Sequence, residues 1–343
     1  MIFAVSTVKD TVPNVEKFVR RNLAGGVDHL IVFLDDEQPE VEAFLAASPN
    51  VTCLATHRDW WHGERQAELN DRQRTHATLA AQTLSRFAWA HWMFHIDGDE
   101  VVHIDRTAMA ALGDDVRAVR LSPLEAVAEF RADSDPTWFK PLLDQEQLVR
   151  LADLGVIARP NNRAFFRGHI TGKVGVRPSS DMRVAIHTAG STTAGSSSLP
   201  TVVDPAYTML HYESPNGDQF VRKWRSLLAS GGSVGQRTVR RRFGGEIKRL
   251  LALDLSAEET AALLEHLYQE HVADDVETLR RLGLLQHHDP DSWVHEPEPI
   301  PRSEAGVWAE ALAHMRRAPK SAYLPPTRRN APLAPGRAGT GSE

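Results

Sequence analysis

The stretch WMFHIDGDEVV, Trp92 to Val102, joins a run of apolar side chains to three acidic residues. The apolar part, WMFHI, has the length and composition of a strand that is buried on both faces. The acids that follow, Asp97, Asp99 and Glu100, repel one another unless positive charge lies among them. The stretch therefore predicts a buried strand that delivers the chain to a charged site.

Strands of the same kind alternate with helices along the first part of the chain. Apolar runs favour strands at Ile2 to Thr7, His29 to Leu34, Val51 to Ala55 and Trp92 to Ile96, and helical spacing of apolar residues favours helices after Asp10, after Pro39 and from Arg72. This alternation is typical of a parallel sheet covered on both sides, in which ligands bind beyond the carboxyl ends of the strands. Because Asp10, Asp36 and Asp97 follow three of these strands, we expect them to line one acidic crevice.

The later chain is more mixed and then becomes helical. Strand candidates are Ala118 to Leu121, Lys173 to Arg177, Arg183 to His187 and Thr208 to Tyr212. The Gly and Ser rich stretch Ala189 to Pro200 predicts a flexible loop. Ser256 and Glu259 form a capping-box pattern, which predicts a helix from Ala257 to Val272.

Composition and charge limit the classes of function. The 39 basic and 45 acidic residues give a net charge of -6, which disfavours a general nucleic-acid binder. No apolar run approaches the roughly 18 residues of a membrane-spanning helix, and the N-terminus does not resemble a signal peptide. The single cysteine, Cys53, fits a reducing compartment. We therefore expect a cytoplasmic protein, with peripheral contact at the inner membrane face left open.

Two interpretations of DGDE, Asp97 to Glu100, remain open at this point. In one, the acids form a solvated turn in which Gly98 takes an unusual backbone angle. In the other, Asp97 and Asp99 hold a hard cation against a diphosphate. A calcium-binding EF-hand loop is excluded because Val102 stands where that loop needs Gly. The second interpretation is favoured because the turn follows a fully apolar strand in a sheet whose other strands also end in Asp.

Three segments together resemble bacterial glycosyltransferases related to family 2, which have the GT-A fold. The segments are VKDTVPNVEKFVRRNLAGGVDHLIVFLDD from Val8, HIDGDEVV from His95 and HYESPNGDQFVRK from His211. The resemblance covers about residues 1–225 and implies an α/β, GT-A-like (Rossmann-like) fold: a mostly parallel sheet flanked by helices, with a helical C-terminal appendage. Residues 1–105 would be the nucleotide-sugar-binding half and 106–225 the acceptor half. Beyond the resemblance, the helical pattern after Ser214 predicts a helical region at 226–321, and the Pro, Gly and Arg rich composition of the end predicts a disordered tail at 322–343.

The resemblance also implies an activity and a set of site residues. It implies an inverting, metal-dependent enzyme that moves a sugar from a UDP- or GDP-sugar to an acceptor hydroxyl. Asp97 and Asp99 would hold Mn²⁺ or Mg²⁺ against the donor diphosphate, and His211 would lie near the metal. The nucleoside would meet Asp35 or Asp36, with Lys9 and Asp10 lining the same pocket.

The chemistry of sugar transfer asks for further groups. Negative charge develops on the departing diphosphate, so positive side chains are needed near it, and Lys173, Arg177 and Lys223 are the candidates. The acceptor hydroxyl needs a base. Candidates for the base are Glu125 and Glu129, which share one face if SPLEAVAEF is helical, and also Asp99 and Glu100. Lys173, Arg177 and Lys223 could equally be solvated surface charges, and for Glu125 or Glu129 alone a solvated acidic helix face is the favoured alternative.

Two other classes of function use the same acids. A metal-dependent phosphoesterase or nucleotidyltransferase would need ligands for two metals, and the sequence shows no paired His or Asp cluster for them. A non-catalytic nucleotide-binding protein is compatible with every motif. Other notable residues have bland interpretations: His187 as a satisfied histidine, Trp60 and Trp61 as core, and the basic run Arg237 to Arg249 as a solvated helix face, with a polyanionic acceptor or an anionic membrane as its functional alternative.

Overall fold

A computed structural model describes residues 1–193, 198–229, 245–247, 249, 253 and 255–324. The strands are β1 (Ile2–Val8), β2 (His29–Leu34), β3 (Val51–Ala55), β4 (Trp92–His95), β5 (Glu100–Ile104), β6 (Ala118–Ala126), β7 (Trp138–Lys140), β8 (Lys173–Val176), β9 (Met182–Val184), β10 (Ala189–Ser191), β11 (Val202–His211) and β12 (Gln286–His287). The helices are α1 (Val12–Ala24), α2 (Pro39–Ala47), α3 (Arg58–Trp61), α4 (Leu69–Leu84), α5 (Arg106–Ala110), α6 (Gln145–Asp153), α7 (Asn162–Phe165), α8 (Gly217–Ala229), α9 (Ala257–His271), α10 (Val276–Arg281) and α11 (Ala305–Arg317).

Ten of these strands form one mixed sheet with the order β12-β7-β6-β8-β4-β1-β2-β3, and β11 joins β6 to β5 beside this path. Within the described ranges, β5, β7 and β8 run opposite to the other strands of the sheet. The sheet is therefore mostly parallel. The predicted α/β class, with helices flanking such a sheet, is confirmed.

The apolar strands form because both of their faces are covered. Every residue of β1 and β2 is buried. One face packs against Val15, Phe18 and Val19 of α1 and against α2, and the other packs against the alanine-rich side of α4. The backbone polar groups of these strands are buried, but they pair with neighbouring strands of the sheet. Polar side chains that need water or a ligand therefore lie at the carboxyl ends of β1, β2 and β4.

The C-terminal region is helical, as predicted, and it is integrated into the fold. The capping box at Ser256 and Glu259 is present at the start of α9. Trp308, Ala311 and Met315 of α11 complete the core beneath α4, and β12 pairs with β7 at the edge of the sheet. The region therefore supplies both core and sheet edge as well as helices.

Several predictions of local structure differ from the structure. The segment SPLEAVAEF does not form the helix that the base hypothesis required, because its first part continues strand β6 to Ala126. Ala189 to Ser191 forms a strand within the predicted loop. Residues 194–197 of that loop, most of the basic run 237–249 and residues 325–343 of the tail lie outside the described residues. Among the helices that are described, none has the length and apolar character needed to cross a membrane.

Candidate active site

The DGDE motif forms a tight turn between β4 and β5. The amide of Glu100 donates to the carbonyl of Asp97 at 3.2 Å, and the amide of Asp97 donates to Oε2 of Glu100 at 2.7 Å. Gly98 does not adopt a positive φ, so the expected unusual angle is wrong. After the turn, β5 pairs with β11. Next to this pairing, the amide of Tyr212 donates to the carbonyl of Asp99 at 3.0 Å.

Asp97 is held by two neighbours from different parts of the chain. Its Oδ1 accepts from Gln73 of α4 at 2.6 Å, and its Oδ2 pairs with Nζ of Lys173 at 2.6 Å. Lys173 is fully buried and also lies 3.5 Å from Glu100. Burial by itself would lower the pKa of Lys173, but the charges of Asp97 and Glu100 outweigh burial and raise it. An ammonium group therefore lies among the acids of the motif.

The backbone conformation of Gly172 places Lys173 at this site. Gly172 has φ of 71°, and a Cβ there would overlap the carbonyl oxygen of Leu121. Both facts favour glycine, since other residues rarely take this conformation and a side chain has no room. Lys173 begins β8, which runs antiparallel to β4, so its side chain reaches the carboxyl end of β4.

Glu100 lies at the centre of a buried group with two histidines. Its Oε1 lies 3.0 Å from Nε2 of His169, and His211 is its cross-strand partner on β11. The rings of His169 and His211 are 4.9 Å apart. Burial would raise the pKa of Glu100, but the charge of Lys173 and the hydrogen bond from His169 lower it well below its usual range. Glu100 is therefore an ionised carboxylate with no exposure to solvent.

Asp99 occupies the open side of the turn. Its Oδ2 pairs with Nζ of Lys223, from α8, at 3.0 Å, and lies 3.9 Å from Nε2 of His211. Lys223 also pairs with Glu213 at 3.2 Å, and Glu213 lies 3.4 Å from His211. The Asp99 side chain is 36% exposed, against 0% for Glu100. Of the three acids in the motif, Asp99 is the one most available to a substrate.

Glu125 is not placed to act as a base in this structure. Its oxygens accept from the amides of Arg167 and Gly168, and Lys140 pairs with it at 2.9 Å. Burial would raise the pKa of Glu125, but Lys140 and His211 lower it. A carboxylate that is 1% exposed and has every oxygen engaged cannot reach an acceptor hydroxyl. It instead fixes the loop that carries His169.

Glu129 lies apart from Glu125, in the loop after β6. It is exposed, and its amide donates to the carbonyl of Pro215. The two acids share no helix face because the segment between them is strand and loop. The hypothesis that they form a pair is therefore wrong, and any role of Glu129 alone stays a prediction.

The ends of β1 and β2 carry the residues predicted for the nucleoside. Asp35 is buried and accepts two hydrogen bonds from Arg72, at 2.6 and 2.7 Å, with Arg65 at 3.1 Å. Asp36 beside it is exposed and pairs with Lys9 at 2.8 Å, and this hydrogen bond lowers the pKa of Asp36. Asp35 is thus a fixed anchor, and Asp36 is the accessible acid.

Arg177 lies at the wrong end of the sheet for the predicted role. It donates to the carbonyls of Val116 and Leu112 and stacks 4.6 Å over the ring of Trp92. Trp92 begins β4, whereas Asp97 follows its end. Because β8 is antiparallel to β4, the five residues from Lys173 to Arg177 carry the chain away from the site. Grouping Lys173 and Arg177 as diphosphate ligands was therefore wrong for Arg177.

An open cleft borders the turn. Its lining residues combine acids and bases from α1, the DGDE turn, the loop between β6 and β7, and α8; they are Asp10, Asn14, Lys17, Phe18, Arg21, Gly98, Asp99, Val101, Asp135, Tyr212, Gln219 and Arg222. Asp10 and Asp99 share this cleft, but Asp36 and Asp97 do not line it. The single acidic crevice expected from the strand ends is therefore divided.

The sequence prediction missed several residues of the site. They are His169 and Gln73, which bond to Glu100 and Asp97, and Glu213 and Lys140, which pair with Lys223 and Glu125. The position of His169 in GHITGK, four residues before Lys173, was a usable signal. The others had none, because nothing local marks a residue whose partner is distant in the chain. Trp60 and Trp61 are buried as core, and Nδ1 of His187 bonds to the carbonyl oxygen of Gly172 at 2.8 Å, as their bland interpretations predicted.

Comparison of the sequence with family models and with curated proteins gives no match. Three solved structures align with the chain at low identity. HddC from Yersinia pseudotuberculosis is 9% identical over 65% of this chain and 97% of its own, with a TM-score of 0.33. TarS from S. aureus is 10% identical over 94% and 83%, with a TM-score of 0.30. The galactosyltransferase LgtC, in complex with donor and acceptor sugar analogues, is 15% identical over 52% and 59%, with a TM-score of 0.25. Since these TM-scores are low, the function of the chain has to be argued from its own site.

Proposed function

We propose that this protein is a GT-A-like glycosyltransferase, related to family 2, that moves a sugar from a nucleoside diphosphate donor to an acceptor hydroxyl with the help of a divalent metal. One observation carries the proposal. At the carboxyl end of β4, Asp97 and Asp99 each pair with a lysine, Lys173 and Lys223, beside an open cleft. Alternating cations and carboxylates at the end of a central parallel strand suit a metal-bound diphosphate.

The donor nucleoside is assigned to the ends of β1 and β2. Asp35 is held by Arg72, which supports the loop after β2 that also presents Asp36, and Asp36 pairs with Lys9 at the end of β1. Asp36 can accept hydrogen bonds from a ribose or base, because its side chain is 49% exposed. Asp10, at the end of β1, lines the cleft next to Asp99 and connects this half of the site to the turn.

The residues present fit a divalent cation on the His211 side of the turn. Nδ1 of His211 is buried and has no hydrogen-bond partner among the described residues. Asp99 and Glu213 lie near its Nε2. Asp97 fits less well as a direct ligand, since Gln73 and Lys173 occupy its two oxygens. When bound, such a metal would neutralise charge on the departing diphosphate.

The chain's own cations support the same step. Lys223 is 28% exposed and can contact a phosphate oxygen while remaining near Asp99. Lys173 is fully buried, so it acts by holding Asp97 and Glu100 in place. Fixed positive groups aimed at developing negative charge are often the largest catalytic contribution, because they need no reorganisation during the reaction.

Asp99 is the proposed base among the four candidates. It lines the cleft, whereas Glu100 and Glu125 are buried with their oxygens engaged. A base must reach the acceptor hydroxyl within hydrogen-bond distance. Asp135, Arg21 and Gln219, which also line the cleft, would orient the acceptor.

The test is calorimetric titration of the full chain with UDP and with GDP, each with and without Mn²⁺ or Mg²⁺. We expect one nucleotide to bind at least about tenfold more tightly with metal, which is about 1.4 kcal/mol. Turnover of the matching nucleotide sugar in the presence of candidate hydroxyl acceptors would then establish transfer. Nucleotide affinity that is the same with and without metal would contradict metal dependence. Nucleotide binding without turnover of the nucleotide sugar would favour a non-catalytic nucleotide-binding protein.

A further inference from the structure

Glu100, His169 and His211 come together from three separate parts of the chain. Glu100 and His211 are aligned on the antiparallel strands β5 and β11, so their side chains leave the same face of the sheet. His169 lies on a loop that Glu125 anchors through the amides of Arg167 and Gly168. Each of the three offers a ligand atom, and these atoms all lie within 4.8 Å of one another.

This separation is close to that of ligands around one ion. Two ligand atoms bound at about 2.1 Å lie at most about 4.2 Å apart, so only a small inward movement would close the group. The loop that carries Gly168 and His169 already lies against the ring of His211. A Cβ on Gly168 would lie 2.7 Å from Nδ1 of His211, a distance that side chains do not tolerate. Glycine at this position lets His169 approach His211.

Unpartnered ring nitrogens point to a ligand. Nδ1 of His169 and Nδ1 of His211 are both buried and have no hydrogen-bond partner among the described residues. The side chain of His211 is only 4% exposed. A buried polar atom without a partner costs about 1–3 kcal/mol, so two in one cluster need an explanation. A cation bound at Nδ1 of His211 would give that atom its partner. His169 meets Glu100 through Nε2, so its own Nδ1 is not accounted for by the same ion.

Charge and hydrogen bonding favour the same conclusion. Asp97, Asp99, Glu100 and Glu213 face the two ammonium groups of Lys173 and Lys223, which leaves a formal charge of −2 before the histidines are counted. The amide of Asp97 donates to Oε2 of Glu100 and so leaves Oε1 directed at His169. Ligating carboxylates are commonly oriented by such a second hydrogen bond.

We propose that Glu100, His169 and His211 form a binding site for a divalent transition-metal ion. Two imidazoles and one carboxylate suit Mn²⁺, Co²⁺, Fe²⁺ or Zn²⁺ better than Mg²⁺, which prefers oxygen ligands and retained water. Asp97 is then the partner of Lys173 and not a ligand. The use of the metal in sugar transfer rests on the proposed function, but its binding does not.

Metal titrations of the chelator-treated full chain test the site without any sugar donor. We expect Co²⁺ to bind at least about tenfold more tightly than Mg²⁺. His169→Ala should lower the Co²⁺ affinity by about tenfold or more. The matched control is His187→Ala, whose ring lies 4.5 Å from His169 but is outside the ligand group. It should change the affinity by less than about threefold.

Asp97→Asn separates this site from a metal held by the two aspartates of the motif. It should keep the Co²⁺ affinity within about threefold, because Asp97 is assigned no bond to the ion. A loss as large as that of His169→Ala would overturn the proposal. So would unchanged affinity in a folded His169→Ala variant, with folding checked by circular dichroism.

A second measurement needs no variant. Electron spin echo modulation of the Mn²⁺-loaded wild-type chain should show coupling to imidazole nitrogen, and its absence would overturn the proposal. Nitrogen coupling together with no turnover of any nucleotide sugar would leave the metal site standing and count against the proposed function. Turnover with an ion that shows no nitrogen coupling would do the reverse.

Discussion

Two lysine and aspartate pairs at the strand ends have nearly the same contact distance and opposite surroundings. Lys173 and Asp97 are 2.6 Å apart with exposed fractions of 0% and 30%, whereas Lys9 and Asp36 are 2.8 Å apart with 59% and 49%. The ammonium group of Lys173 is contacted by carboxylates and is not exposed to solvent, whereas that of Lys9 remains exposed to solvent. An ion pair at a given distance is worth little in water and becomes structurally necessary where water is absent.

The largest effect is expected for Lys173→Met. It leaves Asp97 and Glu100 without the buried cation that compensates them, which should cost about 3–5 kcal/mol of unfolding free energy. Urea unfolding monitored by tryptophan fluorescence measures the change. A loss similar to that of Lys9→Met would erase the distinction between the two pairs.

Glu125→Gln should rank next, at about 2–4 kcal/mol, because it leaves Lys140 with one fewer buried carboxylate. The folded-state pKa of Glu125 is lowered from 4.5, so its contribution is present above that pH and is lost as the pH falls below about 4.5. Wild-type stability should therefore drop below pH 4.5, and the variant should show a shallower drop. Parallel unfolding curves across this pH range would contradict the assignment.

Lys223→Met tests the intermediate case. Its pair with Asp99 is about one third exposed, so we expect a stability loss below about 1 kcal/mol. Nucleotide affinity should fall about tenfold, because the variant removes a charge from the proposed phosphate site. Calorimetric titration with UDP or GDP measures it. The matched control is Arg131→Met, since Arg131 is exposed and pairs with Glu265 away from the cleft.

The smallest effect is expected for Lys9→Met, within about 0.5 kcal/mol of the wild-type unfolding free energy. Raising the salt concentration should reduce even this difference, because exposed charges are screened. Thermal unfolding at low and high salt measures it. A salt-insensitive loss larger than that of Lys223→Met would show that exposure does not rank these pairs.

Local sequence was sufficient wherever the structure depends on local periodicity. The strands His29–Leu34 and Val51–Ala55 begin and end where the apolar runs do, and the capping box at Ser256 was visible as a pattern. It was insufficient where a role depends on strand direction. In the sequence, Lys173 and Arg177 are equally plausible as basic residues of the site. Antiparallel pairing places Lys173 at the site and Arg177 at the opposite end of β4.

The sequence by itself determined that a buried strand ends in Asp97, Asp99 and Glu100 and that these acids need positive charge. Only the tertiary structure decided which positive charge each receives: a fully buried lysine for Asp97, a partly exposed one for Asp99, and Lys173 with His169 for Glu100. The physical reason is that apolar periodicity is written within a few residues. Electrostatic compensation depends instead on burial and on partners that are distant along the chain.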